Sequence, residues 1–395
     1  MSTIEVNKIA PVSGGTTVTM GDSGDTFTVT SGATLNASSS NLANRANAKP
    51  LIINGDMQVA QRGTSVSTTA GGYKTVDRLQ FNTASTTGDA TFSQEDDAPA
   101  NTGFRKSMKI TPNATESMSA SKNILFTYAI EGQDVQVLQH GSASPPKATL
   151  SFWVKSNKTG AYSMQVKEES ITDESYVLFE YTISQANTWE QKVFSWTGNS
   201  AHTINNDNAM GFRLCWHLAS GSDDHRSAST SWVVDSSFRT TANQVNLFDN
   251  TSNNWYLTGV QLEVGEFTSA TLPPFQHESF GDSLRRCQRY FQMRAEGNQK
   301  IIGIAHWGSG SEVDFIMHIP FMRTRPSLEY TTGNEYWAIG SGGTTNTLDN
   351  LNMNSWSTEM NINLWTTTGA GGTTGFAYYG YSNNASAKLA FLAEL

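Results

Sequence analysis

The chain has 395 residues, a net charge of −9 and only 15% charged residues, with 33 Gly, 10 Trp, 12 Tyr and 19 Phe. So many aromatics exclude a disordered chain, and the acidic balance excludes a nucleic-acid partner, which would need clustered Lys and Arg. Two cysteines, Cys215 and Cys287, allow neither a disulfide framework nor a CxxC or zinc spacing.

The length predicts two or three domains. The start, MSTIEVNKIA, lacks a basic stretch followed by an apolar run, and no apolar run of 18 residues occurs. Neither a secretory leader nor membrane insertion is expected, and assembly in a reducing cytosol fits the cysteine usage. Residues 1–48 form a first segment. Val18 and Met20 alternate with threonines, as do Phe27 and Val29, between frequent glycines. Strands this short hold no core alone. They read either as a flexible tail or as strands completed by identical neighbouring chains, and the repeated phrasing (TVTMGDSG, then FTVTSGA) favours the second. SSSNLANRANAKP, residues 38–50, is a linker.

The middle domain, 49–278, carries period-2 strand patterns. Leu150, Phe152 and Val154 alternate, as do Tyr162, Met164 and Val166. So do Val177, Phe179, Tyr181 and Ile183, and then Met210, Phe212, Leu214 and Trp216. Antiparallel sheets with one buried face produce this pattern, and no helical periodicity separates the strands, so a two-sheet sandwich is predicted. In YLTGVQLEVG, Tyr256, Thr258, Val260, Leu262 and Val264 are placed on the buried face of one more strand.

Residues 279–297 are the connecting segment, with a helix over 279–296. Ser279 and Asp282 make a capping signature, and Phe280, Leu284, Cys287 and Phe291 form one apolar stripe. Residues 298–395 return to strands, with Phe315, Met317, Ile319 and Phe321 alternating and Leu389, Phe391, Ala393 and Leu395 closing the chain. They predict a second, smaller β-sandwich.

Several phrases of the middle domain occur together in one known family. LIINGDMQVAQRG, VDRLQF, AIEGQDVQVL, KATLSFWVKSNKTGAYSMQV, YTISQANTWEQKVFSWTGN, YLTGVQLEVG and PFQHESFGDSLRRCQRYFQ resemble bacteriophage tail-fibre proteins, in order, over roughly residues 50–293. The N-terminal segment is similar to the virion-proximal part of marine-phage fibres, and FIMHIPFMRTRPSLEY and KLAFLAEL to their C-terminal β-domains. The resemblance implies an all-β chain: a carbohydrate-binding-module-like jelly roll with a short N-terminal β segment, one connecting helix and a C-terminal β-sandwich tip. It also implies a homotrimer in the virion tail, assembled in the host cytoplasm. The N-terminus would dock to tail adaptor or nozzle proteins, and the tip to a host glycan or outer-membrane receptor. A structural calcium near the first and last jelly-roll strands is implied at Asp56 and Glu263; their bland reading is a strand-end Asp and an exposed strand Glu.

The residues themselves point to no enzyme. The acidic runs are Glu95-Asp96-Asp97, Glu168-Glu169 and Asp223-Asp224, and neighbours on a strand point to opposite faces, so they read as solvated loop charges. No GxSxG, HExxH or Walker loop occurs. Asp223-Asp224-His225 reads as a metal site or as an ordinary glycine- and serine-rich loop. Sugar binding needs exposed rings flanked by amides and carboxylates. Trp153 is one platform candidate on the jelly roll. The tip offers Tyr336, Trp337, Trp356, Trp365, Tyr378, Tyr379 and Tyr381, in or beside Gly-, Asn- and Thr-rich loops. Two alternatives stand beside the fibre: a tailspike-type glycan depolymerase and a cellular carbohydrate-binding module. The fibre reading expects Trp337→Ala or Tyr381→Ala to weaken host binding without lowering the melting temperature. It also expects removal of 298–395 to leave a folded jelly roll.

Overall fold

A computed structural model describes residues 50–169, 173–341, 344–367 and 373–395. The strands expected within residues 1–48 lie outside these.

The first part is a sandwich of two antiparallel sheets. Its strands are β1 (Ser65–Thr68), β2 (Gly72–Tyr73), β3 (Gln80–Ala84), β4 (Ala90–Glu95), β5 (Ser107–Pro112) and β6 (Asn123–Glu131). Then come β7 (Lys147–Ser156), β8 (Gly160–Glu168), β9 (Ser175–Ile183), β10 (Glu190–Thr197), β11 (Met210–Ser220), β12 (Ser229–Val234) and β13 (Trp255–Val264). One sheet has the order β1-β4-β5-β13-β7-β10 and the other β12-β9-β8-β11-β6-β3-β2. The chain crosses repeatedly from one sheet to the other, while β2–β3, β4–β5 and β8–β9 stay in one sheet as paired neighbours. The core is the set the alternation predicts: Leu150, Phe152 and Val154 of one sheet meet Tyr162, Met164, Val166, Val177, Leu214 and Trp216 of the other. Side chains of period 2 must face one way, so two such sheets bury their apolar rows against each other.

In β13 the predicted parity fails halfway. Trp255 and Leu257 are in the core together with Val260 and Leu262, and the ladder to β7 shifts register between Thr258 and Gln261. Gly259, at φ +61°, supplies the extra residue of a β-bulge. Tyr256 and Thr258 therefore face away from the core, opposite to the strict alternation. A Cβ on Gly259 would stand 2.7 Å from the Phe104 ring and 2.9 Å from Trp153, so both space and backbone require glycine there.

The helix α1 spans only Phe280–Gln288, capped by Ser279, whose hydroxyl accepts from Asp282 N. The stripe is correspondingly shorter than expected. Cys287 is buried with Ile53, Val59 and Tyr290, and Leu284 packs at its edge, whereas Phe280 is 59% exposed. Phe291 belongs to a strand that follows immediately.

The second sandwich is built from β14 (Phe291–Glu296), β15 (Ile301–Trp307), β16 (Glu312–His318), β17 (Ser327–Tyr330) and β18 (Trp337–Ser341). It continues with β19 (Thr344–Leu348), β20 (Asn352–Met353), β21 (Asn361–Thr367), β22 (Ala377–Ser382) and β23 (Lys388–Leu392). A three-stranded sheet, β14-β23-β17, covers one face of a seven-stranded sheet, β19-β18-β22-β15-β16-β21-β20. Phe315, Met317, Leu364, Trp307 and Trp337 of the large sheet pack on Leu389 and Phe391 of the small one. Phe321, expected to continue the Phe315 row, is instead 56% exposed, because the strand ends at His318.

Residues 48–395 hold together as one compact unit. Charged groups knit the two sandwiches. Arg78 of the jelly roll is buried; its Nη1 lies 2.6 Å from Glu394 Oε2, its Nη2 donates to Ala129 O, and its guanidinium sits 3.4 Å from the Tyr290 ring centre. Arg62 takes the other Glu394 oxygen at 3.0 Å and stacks on Phe291 at 3.6 Å. Glu131, fully buried, accepts from Arg289 Nε and Nη2 and from the Tyr290 hydroxyl. Burial alone would raise its pKa, but these donors outweigh it and hold the carboxyl below its usual range.

Candidate functional site

The seven-stranded sheet has one face in the core and one in solvent, and the register writes out the solvent face as rungs. One rung runs Asn352, Trp365, Asp314, His306, Ala377 across β20, β21, β16, β15 and β22. The next runs Asn363, Ile316, Ile304, Tyr379, Gly340, Thr345. The third pairs Asn361 with His318 at one side, and Ile301, Tyr381, Ala338 and Thr347 at the other.

The two ends of this face carry rings. Tyr379 and Tyr381 lie 5.5 Å apart at a 35° tilt and lean over β18. Gly340 makes room for them, since a Cβ there would meet Tyr381 Cε1 at 3.2 Å and the Tyr379 hydroxyl at 3.5 Å. The Tyr381 hydroxyl shares a hydrogen bond with Thr345 Oγ1 at 3.2 Å. At the other end, half-buried Trp365 stands beside Asp314, which lies 3.8 Å from His306 Nε2. Between Tyr379 and Trp365 lie three strand steps and one rung, about 15 Å. That span suits a short oligosaccharide rather than a single sugar.

Of the seven aromatic residues expected at the tip, the structure brings three together: Trp365, Tyr379 and Tyr381. Trp337 is a correction: it is fully buried on the inner face and donates from Nε1 to Thr331 O. Tyr336 and Tyr378 also turn inward and pack on the core. Trp356 is 78% exposed but stands by itself in the turn that leads into β21. The chain reading missed Asp314, His306, Ile304 and Ile316. The inward alternation of Val313, Phe315 and Met317 already sends Asp314 and Ile316 outward; what it lacked was the order of strands that sets them beside Trp365 and Tyr379.

The jelly roll offers less. Residues 235–245 lie across the outer face of β8 and β11, where Gln165 and Lys167 donate to Ser237 O and Ser236 O and Phe238 covers His217. Buried beneath, His217 has its pKa pushed down to about 3 by loss of solvent. At the margin an open pocket of about 700 Å³ is lined by Glu180, His225, Arg226, Thr241 and Asn243, without a Trp, Tyr or Phe to stack a sugar. Trp153 is half-buried against Phe104 at the bulge and is not a free platform.

The acidic residues are otherwise employed. Glu168 is not a solvated loop charge: it is fully buried at the end of β8, where Asn199 Nδ2 and the Ser175 hydroxyl donate to it and His140 Nδ1 lies 3.1 Å away. Glu169 pairs with Lys167, and Asp97 accepts from Lys155 and from Trp189 Nε1. Asp224 accepts from Asn123 Nδ2 at 2.6 Å, which ties the Asp223-Asp224-His225 turn to β6. Asp56 is buried, its pKa raised by desolvation, with His277 Nδ1 at 3.8 Å. Glu263, expected to be exposed, is buried and accepts from Gln261 Nε2. Among the described residues no group of three or more His, Cys, Asp or Glu side chains is placed to hold a metal ion.

No protein-family model matches this chain, and no curated protein matches it in sequence. In structure it is similar to the enzymatically active domain of tailspike protein 4 of bacteriophage CBA120, at 12% identity over 54% of this chain, with a TM-score of 0.28. The match spans only 21% of that domain. It is similar to the family 11 carbohydrate-binding module of Clostridium thermocellum, at 10% identity over 52% of this chain and 97% of the module, TM-score 0.27. It is also similar to the N-terminal cellulose-binding domain of Cellulomonas fimi β-1,4-glucanase C, at 13% identity over 53% of this chain and all of that domain, TM-score 0.24.

Proposed function

We propose that this is a non-enzymatic phage tail-fibre protein that binds a host surface glycan through the outer face of its C-terminal sheet. One observation carries the placement: Trp365, Tyr379 and Tyr381 share a solvent face with Asn352, Asn361, Asn363, Asp314 and His306. Pyranose CH faces stack on rings while hydroxyls need amides and carboxylates, and this face has both. The trimer and the docking of residues 1–48 to tail proteins rest on the sequence resemblance. In a trimer three such faces would act together, so a modest loss per site is multiplied in avidity. Trp365→Ala or Tyr379→Ala in the full chain should lower adsorption to host cells at least about tenfold. Neither should shift the melting temperature by more than a degree or two. Adsorption equal to wild type for both variants would place the receptor site elsewhere.

The depolymerase reading draws on one pair. Glu312 and Asp314 stand two residues apart on the same face of β16, about 7 Å, within the range for two glycosidase carboxylates. Against it, the pair lies on the outward face of β16, and neither carboxylate is fully shut away from water. Incubation with host capsule or lipopolysaccharide is expected to release no oligosaccharide by mass spectrometry. Release that disappears in Glu312→Gln would overturn the non-enzymatic assignment.

A further inference from the structure

The middle of the face is apolar where a site for plain polyhydroxyl sugars has no use for it. Ile304 and Ile316 are paired directly across β15 and β16, at 66% and 55% exposure, between the Tyr379 end and the Trp365 end. Two branched side chains held wet on central strands are unfavourable by themselves and gain when an apolar group covers them. Polar groups flank the pair in the register: Asn363 beside Ile316, and Asp314 and His306 one rung away. The charge on the face has one sign. Its described outward positions carry Glu312 and Asp314 and no Lys or Arg. An anionic sugar would meet two carboxylates there and no Lys or Arg among the described outward positions. A second copy of the chain laid face to face would bring two acidic faces together, and each copy already carries −9.

We propose, resting on the glycan-binding reading above, that this face selects neutral sugars bearing acetamido groups. The acetamido methyl covers Ile304 and Ile316. Its N–H donates to Asp314, its carbonyl accepts from the Asn363 side-chain amide, and the ring faces stack at Tyr379 and Trp365. A glycan with hydroxyls in the same places leaves the isoleucine pair wet and gains only the stacking.

Titration calorimetry on the full-length chain with three trisaccharides tests this. Tri-N-acetylchitotriose and cellotriose share a β-1,4 backbone and differ in the acetamido groups; trigalacturonic acid adds carboxylates. One methyl moved out of water is worth about fourfold, and the acetamido hydrogen bonds add to it, so the acetylated trimer should bind about tenfold more tightly than cellotriose. Trigalacturonate should not bind. Ile304→Thr with Ile316→Thr keeps β-branched residues at exposed positions, and in this double variant the preference for the acetylated trimer should shrink about fourfold, to what the bonds to Asp314 and Asn363 give. Equal binding of the neutral trimers to the wild type would overturn acetamido selection and leave the glycan face standing. Binding of neither would overturn the glycan face and this proposal with it. A wild-type dimer that the double variant abolishes would assign the isoleucine pair to self-association instead.

Discussion

Glu394→Gln is expected to lower stability by about 3–5 kcal/mol, because it removes one partner of a buried ion pair and strands the other. The stranded charge is Arg78, whose side chain is 1% exposed, with Arg62 at 10% on the second carboxylate oxygen. Burial opposes the Arg78 charge; Glu394 and the surrounding tyrosines outweigh it and raise the pKa of the guanidinium, so it does not escape by losing its proton. The amide of glutamine keeps the shape and one acceptor but not the charge. Guanidinium denaturation followed by tryptophan fluorescence reads the loss. Adding Arg78→Met should recover part of it, since an uncharged side chain of similar length needs no counter-charge. A wild-type midpoint for Glu394→Gln would mean that the junction is solvated and that this account of it is wrong. The same geometry overturns the expectation that residues 298–395 can be removed cleanly. Glu394, at the far end of the chain, accepts from Arg62 and Arg78 of the jelly roll, and Arg323 donates to Asn208 O there, so residues 298–395 supply partners that its edge needs. Point variants in the full chain are therefore the right tests of adsorption.

Trp337→Ala should cost about 3–5 kcal/mol, the range for emptying a buried indole site. Trp337 has no exposed surface, packs among Trp307, Ile339 and Leu348, and stands on the rung opposite Ser382. Its loss leaves a cavity and an unpaired Thr331 carbonyl. Any fall in host binding with this variant would follow from the fold and would say nothing about the receptor. Trp356→Ala is the matched control: the same chemical change at 78% exposure should stay within about 0.5 kcal/mol. Thermal melts of the two variants side by side separate the cases, and similar melting temperatures would refute the burial argument.

The contrast between these tryptophans shows what the chain alone can and cannot say. Runs such as TLSFWVK and AYSMQVK determined their own strands and their inward rows, because side-chain direction in a strand follows from the backbone's period of two. The all-β class, the two sandwiches and the apolar core were legible on that basis. So was the helix start at Ser279, where a hydroxyl three residues before an acidic group is a local signal. The helix end was not. Phe291 continues the apolar spacing of Phe280, Leu284 and Cys287, but a strand ladder to Leu392, about a hundred positions away, claims it. A glycine at positive φ likewise reversed the parity of β13 without any signal in the alternation.

The site was half legible for the same reason. Ring-rich loops can be found in a sequence, and three of the seven candidate rings do share one face. Which three depends on inside against outside and on strand order. Both are set by pairings such as Ile304 with Tyr379 and Asp314 with Trp365, between residues far apart in the chain. Local sequence determined the strands and the chemistry that each could present. Only the tertiary structure decided which side chains stand together in water, because that depends on long-range register and on where the second sheet chooses to pack.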